Sequence, residues 1–130
     1  YAEKFSNTPG SLQSSLGFYI TVNTYKGKFD LALRLEGIEP MNDQAMARAV
    51  VMHGADYATA QFIQRQQRLG RSWGCPAVPM EEAPAIINRI KDGSCLFIYA
   101  NDEHYAQQST VLNEWKAIAS TVLKKDGENS

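Results

Sequence analysis

The sequence predicts a β-rich α+β fold, because strand-like runs fill its first third and helical spacing follows later. Two runs near the start, Gly17 to Tyr25 and Phe29 to Leu35, are rich in β-branched, aromatic and leucine residues. In the second run leucine occupies every other position, which indicates a strand with one buried face. Apolar residues at helical spacing occur from Glu81 to Lys91 and from Thr110 to Lys124. Short strands with a few helices, without regular β-α alternation, favour the α+β class.

Two more strands are predicted around the chemically interesting residues. The apolar run Ala-Val-Val-Met at 49–52 predicts a buried strand that ends immediately before His53. The run from Ser94 to Ala100 predicts another buried strand, in which Cys95 would behave as a small apolar side chain. A Gln- and Arg-rich stretch from roughly Thr59 to Leu69 predicts a short helix or a long flap.

Three helices are predicted, and their ends carry recognisable signals. Asn42 to Arg48 is a short candidate with an asparagine or aspartate able to cap its start. The helix from Glu81 to Lys91 places three isoleucines on one face and is followed by Gly93 as a left-handed stop. The last helix has an apolar stripe that we expect to pack in the core, with a partner or membrane surface as the alternative, and the tail from Lys124 to Ser130 is expected to fray. The stripe consists of Val111, Leu112, Trp115, Ile118, Ala119 and Val122.

Length and composition predict one domain spanning residues 1–130, and we expect a monomer. The hydrophobic fraction of 44%, the charged fraction of 21% and a net charge of −1 are typical of a globular protein without an electrostatic preference for nucleic acid. No apolar run approaches the ~20 residues that span a bilayer. The sequence lacks a signal-peptide pattern, yet its start at Tyr1 is compatible with a trimmed, exported domain.

Cys75 has the sequence context of a nucleophile, which must be accessible, prone to form a thiolate and close to a base. Gly74 before it permits a tight backbone path and removes a side chain that would block a substrate. Pro76 after it favours an extended conformation at Cys75. Because proline has no amide hydrogen, an oxyanion hole here would use the backbone amides of Gly74 and Cys75 and could not use that of residue 76.

His53 is the preferred base of the two histidines in the chain. It follows an apolar strand and precedes Gly54, a position that we expect to lie at a sheet edge where a cleft could open. His104 lies in the polar sequence Asp-Glu-His-Tyr and is expected to be solvated. A lone histidine after a strand is more often structural, and the pairing with Gly-Cys-Pro is what favours a catalytic role.

A metal site is a competing interpretation that the spacing disfavours. His53, Cys75, Cys95 and His104 could supply two cysteines and two histidines to zinc. They contain no Cys-x-x-Cys or His-x-x-x-His pair, which most structural zinc sites use. We therefore predict no metal and no cofactor. A disulfide between the two cysteines is possible but is not favoured.

These motifs resemble the murein L,D-transpeptidase catalytic domain family, a branch of the YkuD-like fold. The shared residues are Val-Met-His-Gly-Ala-Asp-Tyr at 51–57 and Gly-Arg-Ser-Trp-Gly-Cys-Pro-Ala-Val-Pro at 70–79. Flanking similarity at 5–19 and 90–99 extends the resemblance over residues from about 5 to 100. One departure is Trp73, because the commoner motif has a histidine between serine and glycine. The resemblance implies a YkuD-like core of mixed or antiparallel sheets in a sandwich-like arrangement.

The resemblance also implies a two-step acyl transfer on peptidoglycan stem peptides in the periplasm or cell envelope. Cys75 would attack the carbonyl after the third stem residue and release the terminal D-alanine, and an amine or water would resolve the thioester. His53 would act as the base, with its other ring nitrogen held by a backbone carbonyl rather than by Asp56. If Cys75 is an active nucleophile, it should form a covalent adduct with a carbapenem; whether β-lactams inhibit the protein is left open.

Supporting roles are predicted for residues around this pair, each with a structural alternative. Ser72 would hydrogen-bond within the turn and hold the nucleophile's loop, or simply stabilise the turn. Arg71 would clamp a stem-peptide carboxylate, more plausibly than Arg65 or Arg68. Trp73 would stack on substrate or pack under the loop, Tyr57 would line the cleft or pack beneath the flap, and Gly54 would lie against substrate. We interpret Ser14 to Gly17 as a strand entry.

Two other functions fit parts of this pattern. An L,D-carboxypeptidase or a cysteine peptidase could act on the same wall peptides, but papain-like enzymes place cysteine before histidine and set it at a helix start. A non-catalytic peptidoglycan-binding module is disfavoured because both Cys75 and His53 are in place.

Overall fold

A computed structural model describes residues 4–28, 30–59, 61, 64 and 74–128 of the chain. Five strands and three α-helices are present in these residues, and a short 3₁₀ turn follows the third strand. The strands are β1 (Gly17–Gly27), β2 (Asp30–Gly37), β3 (Val51–Ala55), β4 (Ala77–Pro79) and β5 (Cys95–Ile98). The helices are α1 (Ala83–Ile90), α2 (Glu103–Gln108) and α3 (Thr110–Glu128), and the 3₁₀ turn is Asp56–Ala58.

The five strands form one mixed sheet in the order β4-β3-β2-β1-β5. All neighbouring pairs are antiparallel except β3 and β4, which run parallel. A largely antiparallel sheet with one helix between β4 and β5 and two after β5 confirms the predicted α+β class. The predicted sandwich-like arrangement is not visible in the residues that the structure describes, whose strands all belong to a single sheet.

The core lies between α1 and one face of this sheet. Leu33 and Leu35 of β2 are fully buried there, and Leu31 packs against the same cluster, as the leucine alternation predicts. Ile87 of α1 is buried against them, and Met52 of β3 completes this part of the cluster. Because successive residues of a strand point to opposite faces, the residues between these core positions face away from α1.

The predicted helix from Asn42 to Arg48 is wrong, since this segment forms consecutive turns without an α-helix. Its backbone hydrogen bonds include Ala45 N–H to Asn42 O and Ala49 N–H to Met46 O, which span three residues. The Asn42 side chain accepts from the Glu39 amide at 2.9 Å and donates to the Phe18 carbonyl at 2.9 Å. This asparagine therefore ties the turn to β1 instead of capping a helix.

Glu39 is a buried carboxylate that joins the C-terminal helices to the sheet. It is 1% exposed and accepts hydrogen bonds from the Phe18 amide, the Tyr105 hydroxyl, the Ser109 hydroxyl and the Val111 amide. Burial alone would raise the pKa of Glu39, but these four hydrogen bonds outweigh burial and lower it. Burial, together with the neighbouring Glu39 carboxylate, raises the pKa of Tyr105 to about 12, so this hydroxyl stays a donor at ordinary pH.

Glu39→Gln should destabilise the domain by about 2–3 kcal/mol. The substitution replaces one carboxylate oxygen, an acceptor, by an NH₂ group, a donor that would face the buried donors around it. The loss should depend on pH. The folded-state pKa of Glu39 lies below its ordinary value of 4.5, so the carboxylate's contribution is fully present above that pH and disappears as the pH falls through the folded-state pKa. Denaturant unfolding between pH 3 and pH 7 measures both effects, and Glu36→Gln on the exposed end of β2 is the matched control. A pH-independent difference between wild type and Glu39→Gln would contradict this role.

The apolar stripe of α3 does not pack in the core, contrary to the prediction. Val111 and Leu112, near the buried Glu39, are half-buried. Trp115 is 66% exposed, and Ile118 and Val122 are also exposed. The helix extends through Glu128, so helical structure continues beyond Lys124, where the frayed tail was predicted to begin. Fraying of the last residues stays a prediction. Helical spacing fixes which side chains share a face but not whether another element covers that face. Among the described residues, no helix combines the length and apolarity needed to cross a membrane.

β5 is an edge strand, and this overturns the prediction that Cys95 is buried. The strand pairs only with β1 in the described sheet, and its side chains alternate between exposed and half-buried. Cys95 is exposed. An apolar run of four to six residues cannot by itself distinguish a central strand from an edge strand. For this reason the prediction of a buried Cys95 was wrong.

Candidate active site

The sequence predicted that His53 follows the end of a strand. In the structure it lies in the middle of β3. Ala49 has a positive φ of 56°, which ends the preceding turn, so the strand starts at Val51 and continues to Ala55. His53 is 1% exposed, whereas a position at a sheet edge was predicted. Since β4 covers the outer side of β3, the histidine is next to the edge strand and is enclosed by it.

The ring of His53 is oriented by the backbone. Its Nδ1 lies 3.0 Å from the carbonyl oxygen of Gly54. A carbonyl can only accept, so Nδ1 carries a hydrogen, and whenever the imidazole is neutral its lone pair is on Nε2. This confirms the expectation that a backbone carbonyl, and not Asp56, holds the second ring nitrogen.

The parallel pairing of β3 with β4 brings His53 beside the segment that follows Cys75. The His53 amide donates to the Pro76 carbonyl at 3.2 Å, and His53 is in register with Ala77. Cys75 is half-buried and comes two residues before Ala77. The two residues therefore occupy neighbouring chain segments at one edge of the sheet, although 22 positions separate them in the sequence.

Gly74 sits where no other residue would fit well. Its φ of +91° is in the region that favours glycine, and an added Cβ would lie 2.7 Å from the carbonyl oxygen of Gln13. The Ser14 hydroxyl donates to the Gly74 carbonyl at 3.3 Å. The backbone that leads into Cys75 is thus packed against residues 13 and 14. The sequence interpretation of Ser14 to Gly17 as a strand entry did not include this contact.

Arg48 holds the segment that contacts Gly74. Its guanidinium donates to the Gln13 carbonyl at 2.6 Å and to the Ser6 carbonyl at 2.8 Å. It also donates to the hydroxyls of Ser15 and Ser11. Sequence reasoning missed this arginine, because a guanidinium that organises a distant loop leaves no local pattern.

Several predicted site residues lie outside the described residues. They are Arg71, Ser72 and Trp73, together with Arg65, Arg68 and most of the Gln- and Arg-rich stretch. Gly54 is buried, and Ala83 of α1 and Met80 just before it occupy the space that a side chain at position 54 would need. Tyr57 is half-buried in the 3₁₀ turn that follows β3. The substrate-binding roles of these residues stay predictions.

His104 and Cys95 are both distant from the His53 segment in the fold. His104 is exposed, as predicted, but it belongs to the short helix α2 and not to a loop. Cys95 is on β5, at the opposite edge of the sheet from β4. No disulfide joins it to Cys75. Within the described ranges, no group of three or more His, Cys, Asp or Glu side chains is placed to hold a metal ion.

The fold and this site together define an α+β domain in which a buried, backbone-oriented histidine lies beside the segment that follows a half-buried cysteine. The chain belongs to the L,D-transpeptidase catalytic domain family, whose YkuD-like family model matches residues 1–99. This confirms the family that the motifs around His53 and Cys75 indicated. No curated protein and no solved structure gives a significant match.

Proposed function

We propose that this protein is a cysteine-dependent L,D-transpeptidase acting on peptidoglycan stem tetrapeptides, with Cys75 as nucleophile and His53 as base. The observation that carries the proposal is the β3–β4 register, which pairs His53 with the residue two positions after Cys75. The hydrogen bond from Nδ1 to the Gly54 carbonyl adds to it, because it leaves the lone pair on Nε2. Membership of the L,D-transpeptidase family supplies the substrate class.

In the first step the Cys75 thiol transfers its proton to Nε2 of His53, and the thiolate attacks the carbonyl carbon of the third stem residue. The C–N bond to the terminal D-alanine then breaks, and the histidine returns the proton to the departing amine. The products are a thioester on Cys75 and free D-alanine. Backbone amides at Gly74 and Cys75 are the oxyanion donors that we propose for the tetrahedral intermediate, since Pro76 has no amide hydrogen.

In the second step an acceptor resolves the thioester. An amine on the third residue of a neighbouring stem loses a proton to His53 and forms an amide, which releases the thiol and creates a cross-link. Water in place of the amine gives a carboxypeptidase product from the same acyl-enzyme. Both outcomes use the same two residues, so the acceptor is a separate question from the nucleophile. A substrate in the cell wall implies that the domain works in the periplasm or cell envelope.

A papain-like cysteine peptidase is the less well supported alternative. Such enzymes lower the pKa of their cysteine with the dipole at a helix start. Cys75 instead precedes the short strand β4 and is not at the start of a helix. Cys75 is half-buried and directly follows a glycine with positive φ. Purely structural roles for Cys75 and His53 would not explain this arrangement.

Incubation with a carbapenem should add one inhibitor mass to the intact protein, with the adduct on the peptide that contains Cys75. The chain offers a matched control, because Cys95 is the more exposed of its two thiols. Cys95→Ala should keep the adduct, and Cys75→Ala should lose it. Modification of Cys95, or of neither cysteine in folded protein, would count against Cys75 as an activated nucleophile.

A further inference from the structure

The sheet face that carries His53 also carries Arg34, which makes no hydrogen bond or ion pair with the residues that the structure describes. Arg34 of β2 lies between the core residues Leu33 and Leu35, so its side chain faces away from α1. On β3 the core residue is Met52, so His53 faces the same way. Arg34 and His53 therefore project from one face of the sheet, on neighbouring strands.

The strand register makes the side chains of Arg34 and His53 close neighbours on this face. Ala32 pairs with His53, and Arg34 pairs with Val51, so Arg34 and His53 are diagonal neighbours. Diagonal positions on an antiparallel pair are about 7–8 Å apart, a separation that long side chains bridge. No side chain larger than a methyl group intervenes at position 32.

The Arg34 guanidinium is held by an aromatic ring. Its central carbon lies 4.2 Å from the centroid of the Tyr25 ring. Tyr25 pairs with Ala32, and Ala32 pairs with His53, so Tyr25 and His53 lie in one row across the three strands. Both Arg34 and Tyr25 are half-buried. Stacking of this kind orients a guanidinium and leaves the edge of its N–H fork available for other partners.

That fork has no acceptor in the part of the chain that the structure describes: the Tyr25 ring is the contact that Arg34 makes. Arg48 is the contrasting case, since its N–H groups bind two carbonyls and two hydroxyls. A half-buried, ring-stacked guanidinium with unused donors is suited to bidentate binding of a carboxylate.

We propose that Arg34, stacked on Tyr25, binds a free carboxylate of the donor stem peptide upstream of the bond that is cleaved. This inference rests on the proposed function. Tyr25 and His53 are two strand spacings apart, roughly 10 Å. The carboxylate of the terminal residue is too close to the reacting carbonyl to reach this position, and it leaves with the terminal D-alanine. A carboxylate on the second stem residue, or at the end of a long third-residue side chain, lies further from that carbonyl and is the group that can reach Arg34.

Arg34→Gln should raise KM for the tetrapeptide about 10–100-fold, with kcat changed less than threefold, because the lost contact is a charge-assisted bidentate one. Arg34→Lys should recover only part of the loss, since an ammonium keeps the charge but not the fork. Arg89→Gln is the matched control, because Arg89 is an exposed arginine on α1, across the sheet from His53. Thermal unfolding and the rate of Cys75 alkylation by neutral iodoacetamide report whether the variants keep the fold and the thiol.

Substrates with a single amidated carboxylate identify the group that Arg34 binds. Amidation of that carboxylate should raise the wild-type KM as much as Arg34→Gln does, and the variant should then lose nothing further. The second-residue and third-residue amides distinguish the two sources. An unchanged KM in Arg34→Gln, or a loss that is the same for every amidated substrate, would overturn the proposal.

Calorimetric binding of the tetrapeptide to Cys75→Ala protein applies the same test without turnover. If wild type turns over the tetrapeptide and Arg34→Gln does so with the same KM, only the assignment of Arg34 fails. If wild type forms no acyl-enzyme yet Cys75→Ala binds the peptide in an Arg34-dependent way, the proposed chemistry fails and the carboxylate site stands. Binding that does not depend on Arg34 removes the site.

Discussion

His53→Gln should lower the rate of Cys75 acylation by about 10²–10⁴-fold, the contribution expected of a general base in such a reaction. Glutamine is close to histidine in size and keeps a polar group in a buried position, but it cannot accept the thiol proton. The Nδ1 contact with the Gly54 carbonyl predicts that this variant keeps its fold, since the glutamine amide can donate to the same oxygen. Stopped-flow acylation by a carbapenem gives the rate, and thermal unfolding gives the stability.

His104→Gln is the control for this experiment, because His104 is the other histidine of the chain and is exposed on α2, a helix separate from β3. It should acylate at the wild-type rate. Equal losses in both variants would point to a general effect of removing histidine. Acylation of His53→Gln at the wild-type rate would show that Cys75 obtains its base elsewhere.

Gly74→Ala should have the second large effect, on stability and on activity together. The φ of +91° strains any residue with a side chain, and the new methyl group would lie 2.7 Å from the Gln13 carbonyl oxygen, a backbone atom that cannot move aside cheaply. We expect a loss of about 2–4 kcal/mol in the free energy of unfolding. Displacement of the adjoining Cys75 should reduce acylation about 100-fold, because nucleophiles misplaced by an ångström react far more slowly.

Gly10→Ala separates these two causes. Gly10 also has a positive φ, +79°, but an added Cβ there would have nothing within 4 Å. Its cost should be about 1–2 kcal/mol, with acylation unchanged. The excess loss in Gly74→Ala then measures the contact with Gln13. If both alanine variants behave alike, the packing of the Cys75 loop against residues 13 and 14 does not position the nucleophile.

The two residues that we propose as nucleophile and base could be selected from the sequence because the constraints around them are local. A glycine before and a proline after Cys75 restrict its backbone, and the apolar run before His53 predicts a strand at that place. The length of that strand was not predictable. Its extension through Ala55 depends on pairing with β4, which lies more than 20 residues further along the chain. Burial of His53 follows from that long-range pairing and so escaped the sequence pattern.

Long-range partners explain the other differences as well. The turn at 42–48 has helix-compatible residues, but the Asn42 side chain bonds to Glu39 and Phe18 and holds a different geometry. Arg48 organises residues 6–15 through contacts that span more than 30 positions. Cys95 has an apolar context, yet β5 is at the sheet edge. In each case the local sequence was compatible with the prediction, and a contact with an element distant in sequence decided the outcome.

The central claim is that Cys75 carries the acyl group of a stem peptide, and purified disaccharide-tetrapeptide tests it most directly. Intact-mass analysis of the wild-type protein should show a covalent disaccharide-tripeptide on the Cys75 peptide, with one D-alanine released for each acyl group formed. Cys75→Ser protein should show neither product within the same time. D-alanine release by folded Cys75→Ser protein at the wild-type rate, or a folded wild-type protein that releases none, would contradict the account.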